Sequence, residues 1–150
     1  MLAYVADPAG GQYAREVSEC ETVIKNRTEQ VKGYDVKEAY GSDAEGVTIR
    51  WISEKRTGGD EYVHNFALRH FNIKPNGYLA PHKHPWEQEI IVTKGRAQVV
   101  TEKEKVLANE GDVFYFAANE LHGFRNEYDS DFEFYCVIGC LGKGENCIGL

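Results

Sequence analysis

The sequence predicts an all-β sandwich or barrel over residues 46–150, preceded by an N-terminal extension, residues 1–45, that is not an independent domain. Three observations carry this. From Gly46 onward, about nine short runs rich in β-branched and aromatic residues follow one another within roughly 95 residues, with no convincing helix among them. Turn formers punctuate the runs, at Thr57-Gly58-Gly59-Asp60, Pro75-Asn76-Gly77, Lys94-Gly95, Asn109-Glu110-Gly111-Asp112 and Tyr128-Asp129-Ser130-Asp131. On the last run, Phe132, Phe134, Cys136 and Ile138 share one face, expected to line the interior, and Glu133, Tyr135 and Val137 share the other.

Taken in order, the first 45 residues carry Pro8, the Gly10-Gly11 pair and a charged segment whose apolar positions, Val17 and Val23, are too sparse for a core helix. An arm packed on the outside or crossing to a partner subunit is expected there, with a lid over a site as the second reading. The β-runs follow at 47–53, 62–73, 78–84, 88–93, 97–101, 105–107, 112–117, 121–126 and 132–139. In the second of these, Arg69, Phe71 and Ile73 have one parity and Leu68, His70 and Asn72 the other, and periodicity alone does not say which set faces inward. His64 and His70 read as strand-surface histidines.

At 150 residues the chain makes one domain, able to bury roughly 70% of its unfolded surface without disulfide staples. The net charge of −7 argues against nucleic acid or an anionic membrane as partner and leaves a small molecule. No apolar run approaches the roughly 20 residues of a membrane span, and a start containing Asp7 and no basic cluster is not a secretory signal, so a cytoplasmic protein is expected. Cys20, Cys136, Cys140 and Cys147 match no CxxC pattern and read as free thiols, the last three as a second metal cluster being the alternative.

The stretch Pro81-His82-Lys83-His84-Pro85-Trp86-Glu87-Gln88-Glu89 carries the chemistry. In an extended strand His82 and His84 point the same way with Cα atoms about 6 to 7 Å apart, so both imidazoles reach one ion. Pro85 removes a backbone donor and ends the strand, and Gln88 opens the next. Glu87 and Glu89 have the opposite parity and face away. A third histidine, His122, lies in the later run.

These residues sit in two motifs that resemble those of the cupins. In the first, Asn76 takes the opening glycine position, His82 and His84 are the paired histidines, Gln88 stands where a glutamate is usual, and Gly95 closes at the right gap. In the second, Gly111, His122 and Asn126 keep their spacing while Ala117 and Asn119 replace the proline and middle glycine. The run from His82 to Glu89 is similar to the H-x-H-P-W-E-H-E of small single-domain cupins, with Gln88 in place of the last histidine. The resemblance implies a jelly-roll β-barrel, usually paired as a homodimer, with a divalent transition metal in its mouth held by His82, His84, His122 and Gln88. Iron or manganese is the foremost expectation, with nickel, cobalt, copper and zinc also suited to imidazole. Asparagine tolerates positive φ better than most residues, so Asn76 and Asn119 are mild replacements for glycine. Gln88 leaves three readings open: it ligates through its oxygen, it hydrogen-bonds a metal-bound water, or the site holds no metal.

Arg69, Phe71, Phe124, Phe134, Cys136 and Ile138 are the candidates for a substrate pocket. There Arg69 would set a cation for a carboxylate or enolate substrate and Cys136 a redox-sensitive thiol near the metal. Each has a plainer reading: the aromatics as core, Cys136 as a small buried hydrophobe, Arg69 as a strand residue paired with a carboxylate or facing water. The function expected is that of a metal-dependent cupin enzyme, an oxygen-activating dioxygenase or oxidoreductase on a small organic substrate. The alternatives are a non-catalytic small-ligand sensor and a metal-dependent isomerase or lyase on a sugar or keto acid.

Overall fold

A computed structural model describes residues 3–6, 12–15, 25–53 and 65–139. β1 (Ala3–Ala6) and β2 (Gln12–Arg15) form an antiparallel two-stranded sheet of their own. After a 3-10 turn at Thr28–Gln30 come β3 (Gly33–Asp35), α1 (Val36–Tyr40), β4 (Ala44–Ser53), β5 (Phe66–His82) and β6 (Gln88–Lys94). β7 (Arg96–Thr101), β8 (Lys105–Asn109), β9 (Val113–Phe116), β10 (His122–Arg125) and β11 (Phe132–Gly139) complete the chain. Strands β3 to β11 join in one antiparallel sheet that curls into a jelly-roll barrel.

The long strand β5 is its spine. Its first half pairs with β4 on one side and with β11 on the other, and β11 leads on to β6 and β9. Its second half pairs with β10, which leads on to β7 and β8. The two wings meet in the core, where Phe124 of β10 packs on Phe134 of β11 with ring centroids 4.8 Å apart.

Between the halves, Pro75-Asn76-Gly77 bends β5 without ending it. The expected turn there, and with it the separation into runs 62–73 and 78–84, is corrected: pairing with β4 resumes beyond the bend, with a register shift between Glu45 and Val47. Asn76 takes φ 62° and Gly46, in β4 where the register shifts, φ 63°. A Cβ on Gly77 would lie 2.7 Å from the Glu45 carbonyl oxygen, so only glycine lets the strands stay this close. Residues 62–64, where this run was expected to begin, lie outside the described residues, as does His64.

Inward side chains make cross-strand rows. Trp51, Arg69, Cys136 and Ile90 are successive partners across β4, β5, β11 and β6, and Ile49, Phe71, Phe134 and Val92 form the next row. The parity that periodicity left open is thereby settled, with Arg69 on the inside. His70 is on the other face, yet it is only 5% exposed rather than a surface histidine. Its Nε2 lies 3.2 Å from Glu133 Oε2 and its ring packs edge-on against Tyr135, whose hydroxyl is hydrogen-bonded to Thr28. Residues ahead of the barrel therefore cover part of its outer surface.

Residues 33–45 do more than pack outside. β3 pairs with β4, and Val36 and Ala44 are buried in the core. The sequence reading did not anticipate the short helix α1, which lies ahead of the strand runs: Asp35 caps it by accepting from the Glu38 amide at 3.0 Å, and Gly41 ends it at φ 66°. An Asp-x-x-Glu capping pattern was the available signal. Among the described residues no helix is long and apolar enough to cross a membrane.

Candidate metal centre

His82 and His122 are direct partners across β5 and β10. Inward residues of β5 are odd-numbered up to Leu79, whereas His82 is even. The change of parity comes from a bulge: Ala80 and Pro81 of β5 lie opposite the single residue Gly123 between the pairs Leu79–Phe124 and His82–His122. Gly123 is needed there, since a Cβ on it would meet Pro81 N at 2.6 Å and the Leu79 carbonyl oxygen at 2.7 Å. β5 ends at His82, two residues before the expected boundary, so His84 projects from the connection to β6 rather than from a strand. Gln88 opens β6 from the other wing, and Glu87 and Glu89 are exposed.

The three imidazoles converge, with ring centroids 4.8 to 5.9 Å apart and one nitrogen of each within 4.8 Å of the others. Backbone carbonyls orient all of them. Nδ1 of His82 lies 3.0 Å from the Ala80 oxygen, that of His84 2.8 Å from the Trp86 oxygen, and that of His122 2.9 Å from the Glu120 oxygen. A carbonyl only accepts, so Nδ1 carries the proton in each ring and Nε2 presents a lone pair. Trp86 stacks on His84 at 4.9 Å and Phe116 on His122 at 4.3 Å, which holds the ring planes.

These lone pairs want a cation. His122 is fully buried and its Nε2 has no hydrogen-bond partner. His84 Nε2 lies 3.1 Å from Gln88 Oε1, and that atom must be the oxygen, because the Arg69 Nη2 donor is 3.2 Å from it. Two acceptors at hydrogen-bond distance with no proton between them are reconciled by a metal ion, so the donor set fits a divalent transition metal. Burial lowers the pKa of all three histidines, that of His122 to about 4, despite the backbone bonds that oppose it. At neutral pH they are the uncharged ligands that such an ion requires.

Of the remaining sequence candidates, Phe134 stacks on Phe71 and packs tilted against Phe124 in the core, and Ile138 pairs across β11 and β6 with Gln88. Arg69 is 1% exposed and donates from Nη2 to both Gln88 Oε1 and, at 2.9 Å, Cys136 Sγ. Among the described residues neither surrounding of its plainer reading, a carboxylate or water, is what it has. Burial raises the Cys136 thiol, with Arg69 opposing, and keeps it a neutral acceptor. Cys20, Cys140 and Cys147 lie outside the described residues. The sequence reading missed Gly123, Phe116 as the ring on His122, and the backbone carbonyls. The bulge glycine beside a motif histidine was the one sequence signal for any of these.

Asn76 and Asn119, which stand in the two motifs where cupins have glycine, are the non-glycine residues with positive φ among the described residues, at 62° and 63°. Asn126 closes the second motif structurally, donating to the Ile73 and Ser130 carbonyls and accepting from the Tyr128 amide.

No curated protein matches the chain by sequence. Solved structures do share its fold. A polyketide cyclase from Streptomyces resistomycificus is 24% identical, with a TM-score of 0.66 over 83% of this chain and 89% of its own. A predicted oxalate decarboxylase from Thermotoga maritima is 18% identical, with a TM-score of 0.66 over 79% of this chain and all of its own. A sugar phosphate isomerase from Silicibacter pomeroyi is 20% identical, with a TM-score of 0.61 over 77% of this chain and 75% of its own. The family model for the cupin domain matches residues 69–138, the span that holds every histidine of the cluster. Histidine spacing, barrel and family match agree that residues 69–138 form a cupin domain.

Proposed function

We propose that this cupin is a metal-dependent enzyme of the oxygen-activating, dioxygenase-like kind, with iron or manganese held by His82, His84, His122 and the Gln88 oxygen. The observation that supports it is the convergence of three neutral, carbonyl-oriented imidazoles, one of them 3.1 Å from a neutral glutamine oxygen. Among the described residues no carboxylate joins this cluster, so it suits redox chemistry better than proton abstraction by a side-chain base. When bound, iron or manganese supplies Lewis acidity and one-electron chemistry. The chain's part is orientation and dryness: carbonyls fix the three tautomers, and Trp86, Phe116 and Ile138 surround the donors with apolar surface.

Elemental analysis of purified protein, followed by an oxygen electrode with diketone, catechol and alkene substrates, tests this. Stoichiometric metal that is lost in His122→Ala, with oxygen uptake, is expected. Absence of retained metal, or no oxygen consumed with any of these, defeats it. A second reading, metal-assisted isomerisation or lyase chemistry on a keto acid, draws support from the buried Arg69 beside the cluster; turnover without oxygen uptake would favour it. A homodimer is also proposed, since Ile91, Val113, Tyr115 and Val137 leave an exposed apolar outer face on β6, β9 and β11. Light scattering checks it.

A further inference from the structure

Arg69 is a buried cation that meets no anion among the described residues. Its Nε and Nη1 have no hydrogen-bond partner, and Nη2 bonds only to the uncharged Gln88 amide and the Cys136 thiol. The rings of Trp51 and Phe71 lie 5.4 and 5.2 Å from its Cζ, which offsets part of the lost hydration but supplies no acceptor. A guanidinium cut off from water and unpaired is strongly disfavoured unless something negative joins it. The same Gln88 oxygen that receives Arg69 Nη2 at 3.2 Å stands 3.1 Å from His84 Nε2, so the guanidinium that carries the free donors is one hydrogen bond away from the histidine cluster. A metal would add further positive charge to surroundings whose described members are neutral histidines, a glutamine and a thiol.

From this we infer that Arg69 is an anion anchor and that the centre takes small 2-oxo or 2-hydroxy acids. The carboxylate pairs with the free guanidinium donors while its neighbouring oxygens turn toward the histidines. Guanidinium presents planar, permanently charged donors matched to carboxylate, which is why this side chain suits the task. Gln88 is what keeps the anchor free. A glutamate at this position would put a carboxylate against Arg69 Nη2 and complete the charge internally, whereas glutamine leaves it for the ligand.

The inference rests on the three histidines being a metal site, and the test separates the two. Manganese affinity and then pyruvate affinity are measured by calorimetry on the full chain, with methyl pyruvate as the uncharged control, for wild type, Arg69→Gln, Arg69→Lys and Gln88→Glu. Circular dichroism checks the fold of each. Pyruvate should bind wild type at least tenfold tighter than its ester. It should weaken at least tenfold in Arg69→Gln and in Gln88→Glu, less in Arg69→Lys, with manganese affinity undiminished in all. Equal affinity for acid and ester, or unchanged pyruvate affinity in Gln88→Glu, would overturn the anchor while leaving the metal site intact. The same variants are scanned for pyruvate-dependent thermal stabilisation without metal. If manganese fails to bind wild type, the metal reading falls, and Arg69-dependent stabilisation by pyruvate would still support the anchor, its absence refute it.

Discussion

Replacing Gly123 with alanine should damage the centre without touching any donor. Gly123 does not sit in the left-handed region, so the cost is one of space rather than backbone conformation. The new Cβ would lie 2.6 Å from Pro81 N, 2.7 Å from the Leu79 oxygen and 2.8 Å from Pro81 Cα, against the 3.4 Å at which ordinary contact begins. All three are backbone atoms, so no side chain can swing away, and β10 must move several tenths of an ångström off β5. Overpacking of this kind costs about 1 to 3 kcal/mol, and the upper half of that range is expected here. With a urea slope of about 1 to 3 kcal/mol/M, the unfolding midpoint should fall by roughly 1 M. Because His122 precedes the glycine and His82, its partner, follows the Ala80-Pro81 pair opposite the glycine, the same displacement separates two Nε2 atoms, and manganese affinity should drop at least tenfold, about 1.4 kcal/mol. Urea titration and calorimetry measure the two effects. A variant with wild-type midpoint and wild-type metal affinity would refute the placement of His122 by the bulge.

Asn126→Ala should cost about 2 to 3 kcal/mol by stranding the Ile73 and Ser130 carbonyls, yet leave manganese affinity close to wild type; a loss of metal binding comparable to that of His122→Ala would contradict its purely structural role. Gln88→Glu should tighten manganese binding, since a carboxylate adds charge to the ligand set, and unchanged affinity would count against ligation through position 88. For metal-free protein, the folded pKa of His122, about 4, lies below the ordinary 6.5. Between these values the unfolded chain holds a proton that the folded chain lacks. Stability should therefore decline as pH falls from 6.5 toward 4, by about 1.4 kcal/mol per unit for this one group, with His82 and His84 acting in the same direction. Chemical denaturation at stepped pH would show it, and a flat profile would refute the buried neutral state.

Local chemistry made the barrel and the histidines legible. Strand runs 88–93, 97–101, 121–126 and 132–139 fall within a residue or two of β6, β7, β10 and β11, because alternation and turn residues act over short range. The asparagines at the motif glycine positions could be read the same way, from the backbone conformation they tolerate. Helix α1 was equally local, and its Asp35-to-Glu38 cap stood in the sequence unread.

What the sequence by itself determined is thus the fold class, the three histidines and their kinship to cupins. Tertiary structure alone decided how they work together. Strand parity would have put His82 on the face opposite Arg69 and Phe71; an extra residue in β5, matched by a glycine in β10, turns it inward. Nothing near Arg69 in sequence reveals that its neighbours are Gln88 and Cys136 and that no carboxylate of the described residues meets it. Both are consequences of register between distant strands, which no local pattern encodes, and together they place a free positive charge at the edge of three neutral imidazoles.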